Sequence, residues 1–328
     1  MSREIVLAVR PEGIPRESDF ELREVEDASP AEGEVLVRNV FVSVDPYMRG
    51  RMTGVRTYVP GYDVGDPIDG GAVGRVVESR DEAFAPGDWV VSTLGWRDQG
   101  VIAANRLRKV DTTLGPPSTA LGMLGMPAFT AWIGLVEIGR VEEGETLYVS
   151  GAAGAVGSAA AQIAKLNGLR VIGSAGTPEK VEWLHSLGIE AFDYHETRPR
   201  DALADGIDAY FDNVGGEQLE AALTALRPHG RVIACGAISR YNDARAEPGP
   251  RNLFLMVTKR LRLEGFIIFD HNARFPEFLA EVAPWVRDGK LQYRETIVDG
   301  IENAPSAFAG LFRGENVGKM LVRVGPDG

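Results

Sequence analysis

Along the first hundred residues, short apolar runs are broken by Gly, Pro and Asp: EIVLAVR, FELREVE, GEVLVRNVFVSV, GGAVGRVVES, GDWVVSTLGW and GVIAA. Runs of this length with such punctuation read as strands. They predict an irregular β-rich domain, a partly open barrel. From about Pro127 the rhythm changes to strands alternating with helical segments. Strands are expected at 145–150, 169–174, 190–194, 207–212, 230–236 and 262–268. Such an alternation, in two βαβαβ halves, predicts an open, doubly wound parallel sheet whose ligands lie at the carboxyl ends of its strands. After about residue 290 the pattern returns to strand, helix, strand in YRETIVDG, ENAPSAFAGLFRG and VGKMLVRV. The expectation is an α/β chain of two domains, 1–126 completed by 290–328, and 127–289. The cleft between them is the expected active site.

Composition narrows the function. The 35 Lys and Arg against 47 Asp and Glu leave a net charge of −12. A surface that acidic has no electrostatic footprint for nucleic acid or an anionic membrane. Any anionic cofactor must then be held by local donors. A single cysteine, Cys235, excludes an intrachain disulfide framework and fits a reducing compartment. It ends the apolar run RVIAC, which predicts a buried structural thiol. The N-terminus MSREIVLAVRPEG has no long apolar stretch. Thr112–Val136 carries no charge, but prolines, glycines and threonines interrupt it, so a buried segment is expected and not a membrane helix. A soluble cytoplasmic protein is the expectation.

The strongest local signal is TLYVSGAAGAVGSAAAQIAKLNG followed by RVIGSAGT. Glycines at 151, 154 and 157 let the backbone turn sharply, approach a pyrophosphate closely and pack the next helix against the sheet. The helix N-terminus then aims N–H groups at the negative charge. The pattern lies between a strand and a helix, with a second strand at βαβ spacing, as the dinucleotide fingerprint requires. An NAD site places a carboxylate about 20 residues on, for the ribose 2′-hydroxyl. Ser174-Ala175-Gly176-Thr177 has none, which favours NADP. Thr177 and Pro178 form an N-cap and first helical position. Lys180 then falls in the first turn, where the dipole disfavours a cation unless an anion such as the 2′-phosphate reverses the sign.

Zinc needs Cys, His or carboxylate ligands, and a structural zinc lobe needs several thiolates. His185, His195, His229 and His271 all lie within or beyond the nucleotide-binding half, and no cysteine precedes Cys235. No metal site is therefore expected in the N-terminal domain. Without a Lewis acid, a conjugated C=C–C=O remains a feasible substrate, because hydride delivery to its β-carbon needs only a hydrogen bond to the enolate oxygen.

DPYMRGRM (45–52), LGMPAFTAW (124–132), the glycine turn, DNVGGE (212–217), CGAISRYN (235–242) and ENVGKMLV (315–322) resemble the zinc-free medium-chain dehydrogenase/reductase branch. Within it they are similar to the NADPH-dependent prostaglandin/leukotriene reductases, alkenal double-bond reductases and curcumin reductase, essentially end to end. The resemblance implies a GroES-like β-rich catalytic domain with a Rossmann domain, a homodimer, and reduction of the C=C of enals or enones with NADPH. Carried over by motif, Gly154, Ala155, Val156 and Gly157 cradle the pyrophosphate, and Lys180 and Tyr194 meet the 2′-phosphate. Asn213 lies beside the cofactor, while Cys235, Gly236, Ala237, Ile238, Ser239 and Tyr241 wrap it. Phe266, Ile267 and Ile268 line the nicotinamide, and Asn316 closes over it. The chain departs from the family at Phe269, where a polar residue or tyrosine is common. Asp243–Pro250 shows little to fix its path.

Tyrosine suits a donor to the enolate oxygen, since its ordinary pKa of about 10 keeps it protonated at neutral pH. Tyr241 in SRYN is the first candidate and Tyr58 in RTYVPG the second; each alternatively packs as a half-buried aromatic. Tyr47 reads as structural. Arg49 and Arg51 read as solvated or bridged to carboxylates, and His195 and His229 as surface residues. A quinone reductase of the same superfamily, or a nucleotide-binding protein without turnover, are the other functions this pattern accommodates.

Overall fold

The structure, a computed structural model, describes residues 1–55, 57–243 and 248–326. It divides into two compact units, Met1–Gly122 with Glu295–Gly328, and Met123–Arg294. The sequence pattern had suggested boundaries at 126/127 and 289/290.

The first unit opens with β1 (Ser2–Leu7), β2 (Phe20–Val25), β3 (Glu34–Ser43), the short helix α1 (Met48–Arg51), β4 (Ala72–Ser79), β5 (Trp89–Ser92), β6 (Gln99–Ala103) and β7 (Arg108–Lys109). β1 and β2 form a hairpin of their own, and β3 is the hub of the larger sheet. One edge of β3 pairs with β4, and its first half pairs with β6. A bulge at Asn39 lets Gly74 approach the Arg38 carbonyl, where a Cβ would lie 2.2 Å from the oxygen. Only glycine fits there.

In the second unit come α2 (Met126–Ile133), β8 (Thr146–Val149), α3 (Ala155–Leu166), β9 (Arg170–Ala175), α4 (Pro178–Ser186), β10 (Glu190–Asp193), α5 (Pro199–Ala202), β11 (Ile207–Asp212), α6 (Gly216–Ala225), β12 (Leu226–Ala234), α7 (Leu255–Thr258), β13 (Arg262–Gly265) and α8 (Phe275–Arg287). The six strands are parallel in the order β10-β9-β8-β11-β12-β13. Numbered within the unit this is 3-2-1-4-5-6, the Rossmann arrangement, with its switch point between β8 and β11. Small residues explain the close seat of α3: Gly157, Ala159, Ala160 and Ala161 are all buried in it. In α8 the apolar residues Phe278, Val282 and Val286 recur at four-residue spacing and are buried, as a one-sided helix requires. α2 packs Phe129 and Trp132 against Phe278, so the second half of the uncharged Thr112–Val136 stretch is core.

The chain then returns to the first unit with β14 (Glu295–Asp299), α9 (Ala304–Phe312) and β15 (Lys319–Arg323). β15 pairs with the second half of β3 and with β14. Ile5, Met48, Met52, Trp96, Phe308 and Val322 meet in the main core of this unit. Lys319, almost fully buried, donates to Asp45 Oδ1 at 3.1 Å and to the carbonyls of Val44 and Met320, tying β15 to the exit of β3.

β8 and β10 are shorter than expected by one residue at an end or at each end, and β12 and β13 differ more. β12 starts at Leu226, four residues early, because Leu226 already pairs with Ile207 before the ladder shifts register. β13 stops at Gly265, not at 268. Its last partner is Ala234, after which β12 leaves the sheet and residues 266–268 have no strand to bond.

Candidate functional site

β8 ends at Val149, and the chain turns through Gly151 at φ +58° into Gly154, the N-cap of α3. No side chain caps this helix. Its first N–H groups, which have no intrahelical partners, therefore face outward as a ready anion site. Gly157 is the tightest position: a Cβ there would lie 2.2 Å from the Gly151 carbonyl oxygen. The corner is pinned to the next strand by Ala152 N–H donating to Ser174 O at 2.9 Å. Gly154, Ala155, Val156 and Gly157 thus form an uncapped, side-chain-poor cradle, and it fits a pyrophosphate.

At the end of β9, Ser174-Ala175-Gly176-Thr177 offers no carboxylate. Thr177 caps α4, its Oγ1 accepting Lys180 N–H at 3.4 Å, with Pro178 in the first helical position. Tyr194 N–H donates to Ala175 O at 3.1 Å. Its hydroxyl lies over Gly176, where a Cβ would approach it to 2.6 Å. Lys180 and Tyr194 are thereby held against one strand end. Burial pulls the Lys180 ammonium below its ordinary pKa, with Glu179 opposing, and raises the Tyr194 phenol. A phosphate would supply the negative charge that burial and the helix dipole both withhold from Lys180.

Where β11 ends, one buried carboxylate organises two loops. Asp212 Oδ1 accepts the Tyr210 hydroxyl at 2.7 Å, Val214 N–H at 3.0 Å and Gly215 N–H at 2.7 Å. Desolvation raises its pKa, and these hydrogen bonds pull the other way. The Asp212 carbonyl accepts Cys235 and Gly236 N–H, Asn213 O accepts Ile238 N–H, and Val214 O accepts both the N–H and the hydroxyl of Ser239. DNVGG and CGAIS are stitched into one surface. Asn213 donates through Nδ2 to Ser150 O at 2.8 Å. The Cys235 thiol is pushed up to about 12 by burial, with Asp212 adding to it, which suits a structural role. Tyr241 follows the short turn 238–240, and its hydroxyl accepts Ala237 N–H at 3.2 Å. Phe266, Ile267 and Ile268 are half-buried just after β13.

Tyr58 and Asn316 lie in the first unit. Tyr58 is exposed on the loop after α1. Arg51 fastens both stems of that loop. Its Nε donates to Pro60 O and its Nη1 to the Tyr62 hydroxyl, and it pairs with Asp69. Arg49 donates to Gly13 O and Pro11 O. Neither arginine is solvated: they are 5% and 9% exposed, and Arg51 is bridged to a carboxylate. Asn316 donates to Gly318 O at 2.7 Å, closing its own turn. His195 and His229 are exposed. Of the Asp243–Pro250 segment, residues 244–247 lie outside the described residues. Sequence reasoning missed Ser150, Tyr210 and Asp212. The available signal was an Asp at the end of an apolar strand, directly before a Val-Gly-Gly turn.

A 3-2-1-4-5-6 sheet with a bare glycine corner on its first strand, joined in one chain to a β-rich unit, defines a dinucleotide-dependent oxidoreductase. Residues 3–110 match a family described as the N-terminal domain of oxidoreductase, and residues 155–284 one described as zinc-binding dehydrogenase. The NADPH-dependent curcumin reductase of Escherichia coli is 44% identical over 99% of this chain and 98% of its own. The NADP(+)-dependent 2-alkenal reductase of Nicotiana tabacum is 41% identical over 98% and 97%. The crystal structure of CurA from Vibrio vulnificus in complex with NADPH superposes with a TM-score of 0.93, at 41% identity and 99% coverage of both chains. The chain belongs to the medium-chain dehydrogenase/reductase superfamily, in the branch that holds these reductases.

Proposed function

We propose that the protein reduces the C=C bond of α,β-unsaturated ketones and aldehydes with NADPH. The full-length likeness to a curcumin reductase and a 2-alkenal reductase carries this reading. The crevice of the second unit agrees with it. The glycine corner receives the pyrophosphate, Lys180 and Tyr194 the 2′-phosphate, and Asn213 with Cys235, Gly236, Ala237, Ile238 and Ser239 the rest of the nucleotide. Phe266, Ile267 and Ile268 give the nicotinamide an apolar wall.

When bound, the reduced nicotinamide supplies the hydride for the β-carbon. The chain stabilises the negative charge that develops on the carbonyl oxygen. Tyr241 and Tyr58 are the donors proposed for it. The Ala237 N–H, donating to the Tyr241 hydroxyl, helps to hold that phenol in place. The proposed step calls for a hydrogen bond to the carbonyl oxygen and not for a zinc ion.

Following NADPH absorbance across enals, enones, curcuminoids and quinones tests the reading. Turnover of enals and enones is expected, and oxidation by quinones alone would replace it with quinone reduction. Tyr241→Phe should lower kcat by about a hundredfold, the worth of one oxyanion donor, with a smaller rise in the Kd of NADPH. Unchanged kinetics would return Tyr241 to packing.

The protein acts as a homodimer in the cytoplasm. Among the described residues β13 ends the sheet with one edge unpaired, and Leu253, Phe254, Val257 and Leu263, on and just before it in the chain, are exposed. Light scattering of the wild type and of Phe254→Asp checks the pairing, and cell fractionation the location.

A further inference from the structure

Packing alone does not explain the polar groups sealed at the switch point. Tyr210 is fully buried, and its ring stacks on Tyr148 at 4.9 Å. A phenylalanine would fill the same space without desolvating a hydroxyl. The hydroxyl instead donates to Asp212 Oδ1 at 2.7 Å and lies 2.9 Å from Ser150 Oγ. Ser150, also fully buried, stands immediately before Gly151.

Both groups lead to Asn213. Ser150 Oγ accepts Asn213 N–H at 3.0 Å, and Ser150 O accepts Asn213 Nδ2 at 2.8 Å. A carbonyl oxygen can only accept. The Asn213 amide must therefore turn its NH₂ towards Ser150 and keep Oδ1 on the other side. Asp212 completes the arrangement: its Oδ1 bonds Tyr210 and the next two N–H groups beyond Asn213, and its carbonyl bonds the start of the Cys235 loop. The switch point thus contains a preset acceptor whose direction is fixed from behind.

We propose that Tyr210 and Ser150, joined through Asp212, are positioning residues for NADP(H), holding Asn213 with its Oδ1 as the acceptor for a hydroxyl or carboxamide donor of the nucleotide. The inference rests on the cofactor reading above. It adds that the Ser150 carbonyl sets the direction of the amide, and that the Tyr210 and Ser150 hydroxyls hold the Asn213 backbone in place against that carbonyl. Losing the Tyr210 hydroxyl loosens the bond between Ser150 Oγ and Asn213 N–H, so the amide drifts from the Ser150 carbonyl and its Oδ1 from the preset direction.

The test is a thermodynamic cycle read by fluorescence titration of NADPH onto the wild type, Tyr210→Phe, Asn213→Ala and the double variant. Tyr210→Phe should raise Kd about fivefold to tenfold, the span of one ordinary hydrogen bond. kcat at saturating NADPH and KM for the enone should stay within about twofold of wild type, as expected when only cofactor binding is touched. The double variant should bind no more weakly than Asn213→Ala alone, since Tyr210 acts through Asn213. A wild-type Kd in Tyr210→Phe, additive losses in the double variant, or a kcat that falls with affinity would each overturn the proposal. If Tyr210→Phe fails to fold, Ser150→Ala enters the same cycle with the same expected result. Failure of the wild type to bind NADPH would instead remove the cofactor reading itself.

Discussion

At the end of β9, Tyr194 is 39% exposed and Lys180 only partly buried, and each is anchored by a backbone bond to the strand end or helix cap. Where β8 and β11 end, Ser150 and Tyr210 are fully buried and Asp212 is 3% exposed, and their hydroxyls and carboxylate bond one another. On the proposed reading the first region discriminates by charge, through a lysine present and a carboxylate absent. The second, on the same reading, discriminates by direction, through buried bonds that orient an amide and two loops. Exposed charge can be altered one residue at a time, because water fills the gap. Buried polar networks respond as a unit, because any unpaired member carries its full desolvation cost.

The comparison breaks most completely at the glycine corner, on which both regions depend. Gly157→Val places atoms where the Gly151 carbonyl already sits, and backbone cannot yield as a flexible side chain would. Fluorescence titration should show binding of NADPH and NADH lost together, and thermal unfolding a cost of about 1–3 kcal/mol from overpacking. Retained NADH binding would mean that the corner serves only the 2′-phosphate end.

Lys180 sharpens the contrast. Lys180→Ala should weaken NADPH about tenfold while NADH stays within about twofold, as the loss of one partly exposed charge pair to phosphate predicts. An equal loss for both cofactors would take Lys180 out of the phosphate site. The sign of its pH dependence follows from burial, which lowers the ammonium's pKa below that of an ordinary lysine. Above that pKa the amine is neutral and the phosphate loses its partner. The preference for NADPH over NADH should therefore decline as pH rises, and should do so below the pH at which an ordinary lysine loses its charge. In Lys180→Arg the preference should stay flat, because guanidinium does not deprotonate there.

Much of this molecule was readable residue by residue. The glycine turn, the Thr177–Pro178 helix start, the strand over 207–212 and the missing carboxylate after β9 are local facts, decided by sterics and hydrogen bonds within a few residues. The sequence by itself therefore determined the fold class and the glycine corner at the start of α3. Tertiary structure alone decided where β13 stops, since Gly265 is the last residue with a partner on β12. It also decided that Arg49 and Arg51 would be buried. It brought Ser150 beside Tyr210 and Asp212 as well, because the parallel register pairs Tyr210 with Tyr148 and so aligns the ends of two strands 60 residues apart. No local pattern encodes such a meeting: it arises from how strands order themselves in the sheet, and a hydroxyl's meaning depends on which neighbour that ordering supplies.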